Sequence, residues 1–147
     1  MHKLFSISIA IAATALMAAC SNANKTTGGG ANNEADLYKT WRFVEIDGLP
    51  VDTAGLRTPA ELTFEKNDSR VFGSAGCNRI TGGFKLEAPN KLSFTPLAAT
   101  KMMCMDKMEY ESKFFGVTDK IKTWSVVDGV LTLGAEDGKT LVRLMAK

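Results

Sequence analysis

Short runs of alternating apolar and polar residues, separated by turn residues, follow one another from residue 38 to residue 145. The first run contains Trp41, Phe43 and Ile46, and it ends at the turn signal Asp47-Gly48. Alternation of this kind predicts strands that bury one face. Eight strands are predicted by this pattern, at residues 38–46, 60–65, 71–74, 83–86, 92–94, 124–127, 130–133 and 140–145.

Turn residues indicate how neighbouring strands are joined. Asp128-Gly129 lies between two of the last runs, and a type I′ hairpin turn requires positive φ at both of its central residues, which such a pair tolerates. The polar turn Asn67-Asp68-Ser69 separates an earlier pair. We therefore expect antiparallel hairpins at both places.

One segment has helical instead of strand periodicity. Between Asp106 and about Lys122, apolar residues recur at i, i+4, i+7 and i+11. They are Tyr110, Phe114, Val117 and Ile121. Asp106 is the expected N-cap, answered by Glu109 three residues later. The polar face mixes acidic and basic residues, so we expect this helix to pack across an open end or a face of the sheet and not on a membrane surface. It falls between the fifth and sixth predicted strands.

The amino-terminal residues have the organisation of an export signal. His2 and Lys3 precede an apolar stretch of 14 residues, Leu4 to Met17, which is too short to span a hydrocarbon core of about 30 Å. The run Leu16-Met17-Ala18-Ala19-Cys20 resembles a lipobox. This resemblance implies cleavage before Cys20 and lipidation of its thiol. The alternative is a plain secretory peptide with an incidental cysteine.

Lipidation would determine how the protein is held. The several acyl chains of a bacterial lipoprotein anchor stably, whereas one chain holds marginally. Ser21, in place of an aspartate, follows Cys20, and in such lipoproteins this implies an outer-membrane location facing the periplasm. Residues 21–36 carry no large apolar side chain, so we expect a flexible tether with an r.m.s. span of about 22 Å. The rest, 37–147, is predicted to be one domain.

The two remaining cysteines, Cys77 and Cys104, would lie in an oxidising compartment, and we expect them to pair. The closed loop of 28 residues corresponds to a stabilisation of about 3 to 4 kcal/mol in the chain-entropy model. Two buried free thiols are the main alternative. A metal site is disfavoured, because zinc takes four ligands and the sole histidine, His2, would leave with the signal.

Charge and composition exclude several classes of function. The chain has 18 basic and 16 acidic residues. Lys3 would leave with the signal, so the net charge of the rest would be close to zero, which disfavours nucleic acid as a partner. Without histidine, catalysis by a Ser-His-Asp or a Cys-His arrangement is excluded. Glu109 and Glu111 lie two apart on the predicted helix and should point in different directions. We therefore expect no enzyme activity, no cofactor and no metal.

Two short motifs carry a family resemblance. Gly73-Ser74-Ala75-Gly76-Cys77-Asn78 and Thr100-Lys101-Met102-Met103-Cys104, together with Trp41 and Gly82-Gly83-Phe84, resemble the META domain of HslJ-like heat-shock lipoproteins. The resemblance covers about residues 37–143. It implies a mainly β (α+β) fold, a small antiparallel barrel or strongly curved sheet of seven to eight strands with one helix. It implies no characterised catalytic activity.

The motif loops admit a structural and a functional interpretation. Gly76 and Asn78 tolerate left-handed backbone angles, so the first loop can make a tight bend that aims Cys77 inward. Met102 and Met103 are expected to fill gaps in the packing. The functional alternative is that Asn78 and Arg79 contact a ligand or partner at a pocket beneath the helix.

Three functions remain open after these exclusions. The first is a monomeric, non-enzymatic envelope lipoprotein that binds a partner, for which the resemblance implies a part in heat stress, antibiotic tolerance or envelope integrity. The second is a carrier of a small hydrophobic ligand in the barrel interior. The third is an assembly factor similar to secretin pilot lipoproteins.

Overall fold

Ten antiparallel strands form in the part of the chain that the computed structural model describes, residues 32–105 and 108–147. Their bounds are β1 (Thr40–Ile46), β2 (Leu49–Pro50), β3 (Ala60–Glu65), β4 (Arg70–Ala75), β5 (Arg79–Glu87), β6 (Lys91–Phe94), β7 (Ala98–Ala99), β8 (Thr123–Val127), β9 (Val130–Gly134) and β10 (Thr140–Ala146). All eight predicted strands are present. Two short strands, β2 and β7, were not predicted, because two residues are too few to show alternation.

Eight of these strands close into a barrel. Their spatial order follows the chain, β1, β3, β4, β5, β6, β8, β9 and β10, and β10 pairs with β1. Of the short strands, β2 pairs with β1 and β7 with β5. The prediction of a small antiparallel β fold is confirmed, and of its two forms the structure is the closed barrel.

Successive barrel strands run in opposite directions, so the connections between them lie alternately at the two ends of the barrel. The proximal end carries the start of β1, the end of β10 and the connections at residues 66–69, 88–90 and 128–129. The distal end carries the connections at residues 47–59, 76–78, 95–122 and 135–139. At the proximal end, Asp128 and Gly129 have φ of 50° and 76°, which agrees with the type I′ turn predicted there.

Helix α2 (Met108–Thr118) closes the distal end. All four residues of the predicted apolar stripe are buried. The fully buried Phe114 makes edge contacts with Phe43 of β1 at 5.2 Å and with Phe94 of β6 at 6.2 Å, measured between ring centroids. The helix lies between the fifth and sixth barrel strands, as predicted, which is between β7 and β8 once the short strands are counted. It ends before the predicted Lys122, and the predicted N-cap Asp106 lies outside the described residues.

A second, short helix lies at the proximal end. Helix α1 (Glu34–Leu37) buries Leu37 completely, and the carbonyl oxygen of Leu37 accepts a hydrogen bond from Trp41 Nε1 at 2.9 Å. The side chain of Asn32 donates to Trp124 O at 2.8 Å and accepts from Val126 N at 3.3 Å. The packed part of the chain therefore begins before Leu37, the start predicted from the sequence.

Asn32 lies beside β6 and β8, the neighbouring barrel strands that share the fewest residue pairs. Strands β6 and β8 share one residue pair, Lys91 with Thr123, and β8 continues beyond it. The amide of Asn32 therefore satisfies backbone groups of β8 that β6 does not reach. Within the described residues, no helix combines the length and the hydropathy required to cross a bilayer.

Candidate functional site

The two domain cysteines join at the distal end. Cys77 follows β4 and Cys104 precedes α2, and the structure links them by a disulfide with a Cα–Cα distance of 6.1 Å. Cys77 is buried. The bond connects the β4–β5 loop to the segment that enters the helix, so the two motif loops form one unit.

Asn78 holds the same two loops together by hydrogen bonds. Its Oδ1 accepts from Met102 N at 2.7 Å and from Thr100 Oγ1 at 2.9 Å. Its Nδ2 donates to Met102 O at 3.1 Å and to Glu111 Oε1 at 2.9 Å. The residue is 1% exposed. Its side chain is thus fully occupied by protein groups, and it positions the loops instead of facing a ligand.

Glu111 is the functional-site residue that the sequence did not reveal. It is buried on α2, and its Oε2 accepts from Asn78 N at 2.9 Å while Oε1 accepts from Asn78 Nδ2. Glu109 is exposed, so the predicted divergence of the two carboxylates is confirmed. A signal was present, because Glu111 lies three positions before Phe114 of the buried stripe and therefore on the same face of the helix. The partner 33 positions away could not be identified from spacing.

The backbone of the first loop bends at Gly76. Its φ is 112°, in the left-handed region, as its sequence context predicted. Its N–H donates to Ser74 Oγ at 3.0 Å, and that hydroxyl lies 2.5 Å from Thr58 Oγ1. Asn78 does not have a positive φ, so the bend depends on Gly76. Asn78 is needed for the hydrogen bonds of its amide, not for its backbone tolerance.

The methionine loop, Lys101–Met105, projects from this anchored base. Met102, Met103 and Met105 are 40%, 85% and 93% exposed. The prediction that Met102 and Met103 fill gaps in the core is wrong. Asn78 binds both backbone groups of Met102, and Cys104 turns inward to reach Cys77. The residues on either side of Cys104 are thereby directed outward.

Arg79 lies on the outer wall of the barrel. Its side chain is exposed and borders an open groove of about 550 Å³. The groove is lined by Arg70, Phe72, Gly73, Arg79, Ile80 and Thr81. No acidic group of the described residues forms an ion pair with Arg79. The predicted pocket beneath the helix is instead filled, because Phe114 packs there against Phe43 and Phe94.

Two predictions remain, the lipidation of Cys20 and the absence of a metal site. Cys20 lies outside the described residues. Within residues 32–105 and 108–147, no group of three or more histidine, cysteine, aspartate or glutamate side chains is placed to hold a metal ion. The distal end therefore presents a disulfide, a buried amide–carboxylate pair and exposed thioethers.

Comparison with protein families decides where this arrangement belongs. The sequence model of the META domain matches residues 35–147, a span that includes both motif loops and all ten strands. The chain belongs to the META domain family. The resemblance given by the paired motifs is thereby confirmed. No curated protein matches the chain.

Solved structures share the fold of this META domain at low sequence identity. A protein from Burkholderia xenovorans, solved by NMR, is 21% identical with a TM-score of 0.62, and the match covers 99% of this chain and 98% of that one. A second NMR structure is 23% identical with a TM-score of 0.59, covering 77% and 92%. A DUF4847 family protein from Bacteroides vulgatus is 18% identical with a TM-score of 0.55, covering 78% and 96%. These likenesses concern the fold alone.

Proposed function

We propose that this META domain protein is a non-catalytic bacterial envelope lipoprotein that binds a protein partner through its methionine loop. The observation that carries the proposal is the exposure of Met103 and Met105, at 85% and 93%, on a loop whose base is fixed by a disulfide and by Asn78. Flexible, apolar methionine side chains are common at binding surfaces. A fixed base lowers the entropy lost when such a loop is bound.

The position of the loop favours a protein partner over the anchoring membrane. Lipid on Cys20 would hold the chain through the segment that joins the barrel at Asn32, at the proximal end. The methionine loop lies at the distal end, so the barrel would stand between it and that membrane. A projecting apolar loop fits a concave apolar pocket, and the exposed Lys101 at the start of the loop favours an acidic rim on the partner.

A carrier function is less well supported. Trp41, Phe64 and Phe114 are each less than 2% exposed and occupy the barrel interior, where a small ligand would have to lie. An assembly factor similar to secretin pilots remains a special case of partner binding. The identity of the partner would distinguish it from a general role in envelope integrity.

Site-specific photo-crosslinking in living cells tests the proposal. A photoreactive amino acid is placed at position 103 and, as the control, at Val127, which is 63% exposed at the proximal end. Discrete crosslinked proteins are expected from position 103, and they should disappear when Met105→Asp is added. Equal crosslinking from both positions, or crosslinks that survive this substitution, would reject the methionine loop as the binding surface.

We also propose a role in heat stress or antibiotic tolerance, which the resemblance to HslJ-like lipoproteins supports. A deletion strain is complemented with the wild-type protein, with Cys20→Ser, or with Met103→Asp and Met105→Asp together. We expect growth under heat and antibiotic stress to be restored by the wild type and not by the variants. Restoration by the Cys20→Ser variant would exclude a requirement for the anchor.

A further inference from the structure

Thioether side chains have an unusual distribution in the described residues. The five methionines there are Met102, Met103, Met105, Met108 and Met145, and four of them lie within seven consecutive positions. None belongs to the buried core. Methionine is apolar and ordinarily useful in packing, so its exclusion from the core and its exposure in one loop call for a chemical explanation.

Of the other aromatic side chains that oxidants attack in the described residues, both tryptophans and Tyr110 are buried and Tyr38 is half-buried. Trp41, Trp124 and Tyr110 are 0%, 3% and 4% exposed. Cys77 and Cys104 are already joined as a disulfide, and residues 32–105 and 108–147 contain no histidine. An oxidant that reaches this domain therefore meets the thioethers of Met103 and Met105 first, since susceptibility follows exposure.

We propose that Met103 and Met105 form a reversible oxidation site for hypochlorous acid or hydrogen peroxide. With hydrogen peroxide, the thioether sulfur attacks one oxygen, a sulfur–oxygen bond forms, the oxygen–oxygen bond breaks and water leaves. With hypochlorous acid, the sulfur attacks the electrophilic chlorine and hydroxide leaves. Water then displaces chloride from the chlorosulfonium ion, and the loss of two protons, one of which neutralises the hydroxide, gives the sulfoxide. The sulfur loses two electrons to the oxidant. A methionine sulfoxide reductase, using two thiols, returns two electrons and two protons and releases water.

Oxidation at this site changes the surface without disturbing the fold. The loop is held by the disulfide and by the bonds from Asn78 to the backbone N–H and carbonyl of Met102. None of these interactions involves the thioethers of Met103 or Met105. The sulfoxide is polar, whereas the thioether is apolar. Oxidation thus converts an apolar projection into a polar one, a consequence for partner binding that rests on the proposed function.

Peptide mapping tests the modification itself. The full-length protein, purified in mild detergent, is treated with hypochlorous acid below one equivalent per methionine. We expect Met103 and Met105 to gain one oxygen atom at least about twofold faster than Met145, which is 44% exposed, because the rate follows exposure. Circular dichroism should not change, and a sulfoxide reductase should reverse the gain. Equal oxidation of Met145, or loss of structure, would overturn the proposal.

A second experiment tests whether oxidation of the methionine loop regulates partner binding. Crosslinking from position 101 is compared before and after oxidation, in the wild type and in a variant with Met103→Leu and Met105→Leu. Oxidation should abolish crosslinking of the wild type and spare the variant, which stays apolar and lacks the reactive sulfurs. Crosslinks that persist in the oxidised wild type would overturn the regulation. If the unoxidised wild type gives no crosslinks, the proposed function is contradicted. The oxidation site is still tested, because peptide mapping does not depend on a partner.

Discussion

Asn78 Nδ2 lies 2.9 Å from Glu111 Oε1, and Asn78 N lies 2.9 Å from Glu111 Oε2. One residue of the β4–β5 loop therefore satisfies both oxygens of a buried carboxylate on α2. Replacement of Asn78 with alanine would leave Glu111 with an unpaired oxygen away from water. We expect Asn78→Ala to lower the free energy of unfolding by about 3 kcal/mol, measured by urea denaturation.

The neighbouring Arg79→Ala provides the control for this change, because the Arg79 side chain is exposed and its loss should cost less than about 0.5 kcal/mol. A cost below about 1 kcal/mol for Asn78→Ala would show that water replaces the amide and that the pair is not structurally important.

Glu111 and Asn78 should also behave as a coupled pair. Glu111→Leu removes the acceptor, and Asn78→Leu removes the side-chain donor. Each single variant leaves a buried polar group with one hydrogen-bond partner fewer. The double variant should therefore be less destabilised than the sum of the single ones. We expect a coupling free energy of about 1.5 to 3 kcal/mol in a double-mutant cycle. Additive effects would contradict a direct interaction.

The disulfide between Cys77 and Cys104 is expected to be chemically present and stabilising. Mass spectrometry without reduction should show the loss of two hydrogen atoms, and replacing both cysteines with alanine should lower the free energy of unfolding by about 2 to 5 kcal/mol. Two alkylatable thiols in the natively purified protein would contradict the pairing. A much smaller loss of stability would contradict a structural role.

Two glycines should respond to alanine in opposite directions. A Cβ atom on Gly73 would collide with the backbone carbonyl oxygen of Glu61 on the paired strand, so Gly73→Ala should cost at least about 2 kcal/mol or prevent folding. A Cβ on Gly116, in α2, meets nothing within 4 Å, and Gly116→Ala should stabilise by about 0.5 to 1 kcal/mol. Thermal denaturation of both variants measures the contrast. Similar effects would contradict the close approach at Gly73.

Phe114 should be the main contact by which α2 closes the barrel. It is fully buried and contacts one aromatic ring from β1 and one from β6. Phe114→Ala should therefore lower the free energy of unfolding by about 3 to 5 kcal/mol. The adjacent Phe115 is partly buried, and Phe115→Ala serves as the matched control with a smaller loss. Equal losses in chemical denaturation would show that the helix is not held chiefly through Phe114.

Local sequence patterns predicted the strands and the helix because their periodicity is a property of consecutive residues. β3 has the predicted bounds, and all four stripe residues of α2 are buried. The site was less predictable. The contact between Asn78 and Glu111 depends on tertiary structure, and the exposure of Met103 follows from the inward turn of Cys104. Asn32 was assigned to a tether because one polar side chain gives no periodic signal.

Barrel closure has a consequence for the order in which this domain can form. The wall is completed by pairing β1 with β10, the first and last strands of the barrel in the chain. Until Thr140–Ala146 is in place, the sheet therefore keeps two unpaired edges. A chain interrupted before Thr140 would expose both edges and be a target for proteolysis or aggregation. The fold is thus complete only when β10 joins β9 to β1.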